Sequence, residues 1–142
     1  MKKLLLLSCF LFTFSGWAQT EAKDKAAILS VLNKTAVAWS SGDIEGFMDG
    51  YWKSDSLKFY GRGGLTKGWQ NTLDNYKKNY PTKAHTGNLD FTIENISKIE
   101  ENSYYVMAQF HLVREVGDAN GVFLIIFRKI NEEWKIIADL SC

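Results

Sequence analysis

The sequence predicts an α+β domain in which three helices pack on one face of a curved, mostly antiparallel sheet. Apolar residues recur at helical spacing through the first half of the chain, and from Asn88 onward the period drops to two. The connections between the later runs are short and turn-rich, which makes successive strands antiparallel neighbours. Helices first and strands later is the order of an α+β architecture.

The N-terminus comes first. Lys2 and Lys3 form a short positive region, Leu4 to Phe14 an apolar one, and Gly16-Trp17-Ala18 ends it on small residues. This is the pattern of a cleavable signal peptide over residues 1–18, with the cut between Ala18 and Gln19. The apolar run falls short of the ~20 residues that span a bilayer. Leu6-Leu7-Ser8-Cys9 resembles a lipid-attachment site, but cleavage there would leave only four leucines as the apolar region. The expected product, residues 19–142, is periplasmic or secreted, with no membrane attachment after cleavage.

Cleavage removes Lys2 and Lys3 from the 17 basic residues and none of the 16 acidic ones, so the net charge moves from +1 to −1. Nucleic-acid binding calls for a basic stripe that this chain lacks. Cys9 leaves with the signal and Cys142 remains alone, so an intramolecular disulfide is excluded. A single domain of this length buries roughly two-thirds of its unfolded surface, and its stability rests on that core.

In the mature chain, Asp24 is placed to cap a helix whose apolar stripe is Ile28, Val31, Leu32, Thr35 and Trp39, closed by Ser41-Gly42. Asp43 caps a second helix with Ile44, Phe47, Met48 and Tyr51 on one face. A short strand over Leu57 to Tyr60 leads into the loop Gly61-Arg62-Gly63-Gly64. Thr66 then caps a third helix carrying Trp69, Leu73, Tyr76 and Tyr80, which Pro81 stops. Strands follow at Leu89 to Ile93, Tyr104 to Val116, Val122 to Ile130 and Trp134 to Leu140.

This order resembles the nuclear transport factor two-like cone. Ser41-Gly42-Asp43-Ile44-Glu45-Gly46-Phe47-Met48 is similar to the turn between its first two helices. The segment from Gly64 to Pro81 is similar to the central helix of a subgroup of small SnoaL-like domains, and Trp134 to Asp139 to their last strand. Such a resemblance implies a pocket-forming fold that hosts isomerases, cyclases, dehydratases, binding modules and oligomerisation domains. Ketosteroid isomerase, a relative by fold, uses an Asp base with a Tyr and a protonated Asp as oxyanion donors. Aligned through Gly42-Asp43, those groups fall at Phe59, Thr35 and near Ile125, and none is present. Where the subgroup's last strand tends to read Asp-His, this chain reads Asp139-Leu140. Leucine moves no proton.

His85 and His111 lie in different elements, with no metal-ligand spacing, and no serine sits in a nucleophile elbow. No cofactor or metal is expected. The remaining chemistry is a mouth rich in aromatics and arginine, with candidate ligand contacts at Trp39, Tyr60, Arg62, Trp69, Tyr76, Phe110, Arg114, Phe123 and Asp139. Arg114 shares its strand parity with Phe110 and Leu112, and a charge among apolar groups needs a partner. That partner is either Asp139, if a bulge turns it inward, or a ligand anion. Three function classes stay open: a domain binding a small hydrophobic or anionic molecule, an enzyme of isomerase, cyclase or dehydratase type, and an interaction module. The outward parity of Val122, Leu124 and Ile126 leaves an apolar stripe suited to a homodimer.

Overall fold

A computed structural model describes the backbone of residues 13–142 and the side chains from residue 20 onward. The expected signal segment therefore lies largely outside the described residues. The elements run α1 (Thr13–Ser41), α2 (Ile44–Met48), β1 (Lys58–Gly61), β2 (Gly64–Lys67), α3 (Trp69–Asn79), α4 (Lys83–Thr86), β3 (Asn88–Glu100), β4 (Ser103–Val113), β5 (Ala119–Ile130) and β6 (Glu133–Ser141). The fold is α+β, with a six-stranded sheet ordered β2-β1-β6-β5-β4-β3. Every neighbouring pair is antiparallel except β1 and β6, which run parallel.

Helix α1 buries the expected stripe of Ile28, Leu32, Thr35 and Trp39. Asp24 does not start it. The helix passes through Asp24, which lies buried one turn before Ile28 with its carboxylate 3.7 Å from Lys129 on β5. The ion pair makes a buried position tolerable for Asp24 that a sequence-local reading gives to a cap. At the other end Gly42 takes φ +84, the left-handed conformation that suits glycine. Asp43 then caps α2, accepting the Gly46 amide at 2.8 Å.

The chain next touches the sheet through Tyr51, which bridges to Ile136 of β6. The expected loop Gly61–Gly64 proves to be the turn of a β1–β2 hairpin, with Gly64 at φ +91. Thr66 is accordingly a β2 residue paired with Phe59, not a helix cap. Its hydroxyl accepts from Asn75 of α3 at 3.1 Å. Helix α3 starts after Gly68 and ends at Asn79, before Pro81 as expected. The one-turn α4 was not foreseen. Its carbonyl at Thr86 takes the Trp39 indole N–H at 2.8 Å, tying this corner to α1.

Strands β3 to β6 form the meander. Tyr104, Val106, Ala108 and Leu112 of β4 and Phe123, Ile125 and Phe127 of β5 are buried toward the helices. In β6 the register against β5 slips between Ile126 and Phe127, so Ile137 is the extra residue of a bulge. Before the bulge Trp134 and Ile136 face the core, and after it Asp139 does.

Candidate functional site

Between the helices and the concave face of the sheet lies a cavity of about 650 Å³, within the usual range for small-molecule sites. Nine aromatic side chains stand in its walls. Trp39 of α1 meets Phe47, Tyr76 and Tyr80 edge-on at centroid distances of 4.9, 5.5 and 4.7 Å. Phe59 of β1 closes on Tyr76 at 5.5 Å, and Phe91 on Phe123 at 5.3 Å. Phe110 and Leu112 complete the sheet side.

A polar cluster interrupts this lining at its buried end. Asp139 is only 6% exposed. One of its oxygens accepts from the Tyr51 hydroxyl at 2.7 Å and the other from the Ser141 hydroxyl at 2.6 Å. Tyr51 and Tyr76 both pack against the Phe47 ring, at centroid distances of 5.5 and 5.3 Å. Among the described residues no cation pairs with Asp139 within 4.0 Å. Burial pushes its carboxyl above the usual carboxylate range, against the opposing pull of the Ser141 and Tyr51 hydrogen bonds. Burial, and then the nearby Asp139 charge, hold both tyrosine hydroxyls well above the ordinary phenol value. At neutral pH Tyr51 and Tyr76 are therefore protonated donors.

Past the C-terminal ends of β1 and β4 the lining carries exposed Arg62 and half-buried Arg114, with exposed Asn75, Asn79 and Asn120. Two of the chain's three arginines thus border one cavity. Arg114 lies just past β4, its Nε donating to the Gly117 carbonyl at 2.7 Å and its backbone amide to the Asp118 carboxylate at 3.0 Å. It does not pair with Asp139, whose partners are Tyr51 and Ser141. Neither Arg62 nor Arg114 has a carboxylate partner among the described ion pairs.

Of the nine sequence candidates, Trp39, Arg62, Tyr76, Phe110, Arg114, Phe123 and Asp139 line this cavity. Two do not. Tyr60 projects from the outer face of the sheet, because inward parity on β1 belongs to Phe59. Trp69 donates its indole N–H to the Met48 carbonyl at 2.9 Å and carries the Lys53 ammonium over its ring at 4.8 Å. It locks α3 onto α2, away from the cavity. Tyr51 was read only as part of a helical stripe; the structure places it after α2, with its hydroxyl on a carboxylate 88 positions away. The positions aligned with ketosteroid isomerase groups, Thr35, Phe59 and Ile125, do line the cavity. The Thr35 hydroxyl is spent on the Leu32 carbonyl. His111 bonds Thr92 and Asn120 outside the cavity. The described residues contain no cluster of three His, Cys, Asp or Glu side chains suited to a metal.

No family model and no curated protein matches the chain. Solved structures do. An NTF-2-like protein of unknown function from Shewanella oneidensis MR-1 superposes with a TM-score of 0.80 at 35% identity, covering 83% of this chain and 98% of that one. A domain of unknown function with a cystatin-like fold from Nostoc punctiforme gives 0.71 at 18% identity, over 84% and 76% of the two chains. A ketosteroid isomerase-like protein from Erwinia carotovora atroseptica gives 0.64 at 14% identity, over 82% and 92%. The last two likenesses are of fold alone.

Proposed function

The chain belongs to the nuclear transport factor two-like family, and from that premise we propose that its cavity binds a small molecule with an apolar body and an anionic group. The observation that carries this reading is the pairing of an aromatic-rich wall with Arg62 and Arg114, neither of which forms an ion pair with a carboxylate among the described residues. A few polar groups in an apolar cleft is the usual make-up of a ligand site. The test is a thermal-shift screen of hydrophobic carboxylates against wild type and Arg114→Ala. Loss of a charge-assisted hydrogen bond costs about 1.5–3 kcal/mol, roughly ten- to a hundredfold in affinity. The expected result is ligand-induced stabilisation that weakens in the variant, with similar unliganded midpoints. A lowered midpoint without any ligand response contradicts the reading and makes Arg114 structural.

A second reading is favoured by the cluster around Asp139: a carboxyl held above its ordinary range inside a cavity is a group suited to proton transfer. It would make the protein an isomerase, cyclase or dehydratase with groups other than those of ketosteroid isomerase. Turnover of a screened compound, abolished by Asp139→Asn and by Tyr51→Phe, would replace binding with catalysis.

Export of the protein is supported by the basic, apolar and small-residue pattern of residues 1–18. No described helix is long and apolar enough to cross a membrane. Intact mass of the exported product should correspond to a chain starting at Gln19. A mass retaining residues 9–18 with a diacylglycerol on Cys9 would overturn this.

A further inference from the structure

The exposed rim and the buried part of the cavity ask for opposite things. At the mouth, Arg62 and Arg114 bring guanidinium donors and no acceptor, the Arg114 Nε being already given to the Gly117 carbonyl. At the buried end, Asp139 presents a carboxyl with two of its roughly four acceptor sites filled, by Tyr51 and Ser141. Because Tyr51 spends its only proton on Asp139, its hydroxyl adds an oxygen rather than a free donor to that end.

We propose that the cavity takes an amphipathic hydroxy acid, its carboxylate between Arg62 and Arg114, its apolar body along the aromatic wall, and its hydroxyl donated to Asp139. The proposal rests on the binding reading above and adds the orientation and the second recognised group. The reverse orientation places an anion against the Asp139 carboxyl, where like charges repel in a site shielded from water. A ligand ending in a carbonyl brings no donor for the Asp139 carboxyl. An ammonium brings three donors that all need acceptors and carries a high desolvation cost, whereas a hydroxyl needs one acceptor. Arginine matches a carboxylate fork to fork, which suits the mouth to an acid.

Four probes separate these features by calorimetric titration: para-hydroxyphenylbutyrate, phenylbutyrate, para-hydroxyphenylbutanol and para-aminomethylphenylbutyrate. The hydroxy acid should bind wild type about tenfold or more tightly than either phenylbutyrate or the alcohol, the ratio that one charge-assisted hydrogen bond supplies. Asp139→Asn should shrink the hydroxyl advantage and leave phenylbutyrate unchanged. The pair Arg62→Ala and Arg114→Ala should erase the acid advantage and leave the alcohol unchanged. Equal binding of hydroxy acid and phenylbutyrate by wild type overturns the inference without any variant, and so does tighter binding of the amine. If all four bind alike, the inference fails while the binding cavity stands. If none binds, the inference fails, and the carboxylate screen then decides the reading beneath it.

Discussion

Asp139 concentrates the chemistry of this protein, and its ionisation has a definite sign in stability. Its folded value lies above the unfolded one because burial disfavours the charge. Between the two values the folded state holds more protons, so stability falls as pH rises through that window and the loss persists at neutral pH. Asp139→Asn should therefore raise the thermal midpoint at pH 7. The advantage should shrink as pH is lowered toward the unfolded carboxyl value of about 3.9. A variant that loses more stability as pH rises would mean that the carboxylate is net stabilising. The inward turn of Asp139 was legible only as a condition, since simple alternation from Trp134 and Ile136 sends it outward and a bulge sends it in. The extra residue, Ile137, carries no local signal of a bulge. Tyr51 was hidden for a related reason: its partner lies 88 positions away, and no local period encodes that contact.

Elements whose burial follows one period were read correctly from the residues. The stripe of α1, the Asp43 cap, the Pro81 stop and the four strands from Asn88 onward belong to this group. Those set by tertiary contact were not. Thr66 has good cap chemistry, yet it pairs with Phe59 because Gly61 to Gly64 can turn tightly enough to make a hairpin. Gly87 is the corresponding junction on the other side, between α4 and β3. It takes φ +58, and a Cβ there would sit 2.1 Å from the Val113 carbonyl oxygen. Gly87→Ala should cost about 2 kcal/mol or more, by strain and by prising β3 from β4. Gly63→Ala, which meets nothing within 4 Å at an ordinary φ, should be close to neutral. Denaturant unfolding of the two variants checks the contrast, and equal effects would refute this reading of the junction.

At the scale of the whole molecule, the sheet has a second face. Leu65, Tyr60, Leu140, Leu124 and Met107 occupy consecutive partner positions across β2, β1, β6, β5 and β4, forming a row on the side away from the cavity. Four of them, with Leu124 the half-buried exception, are exposed, and Val122 beside the row is 57% exposed. Sequence parity anticipated the β5 part of this stripe. The rest depends on the parallel pairing of β1 with β6, a long-range contact that no local pattern announces. We propose that a second copy covers the row, a two-fold pair being the commonest arrangement for such a surface. Light scattering at micromolar concentration should then give a dimer in wild type and a monomer in Leu124→Lys. A wild-type monomer would remove the proposal. None of the row's residues lines the cavity, so pairing and binding are separable. Binding is the central claim, and its most direct test is a crystal structure of protein purified from its native source. Ordered density for a bound small molecule, running from Arg62 and Arg114 to Asp139, is the expected result. A cavity holding only water under those conditions would contradict it.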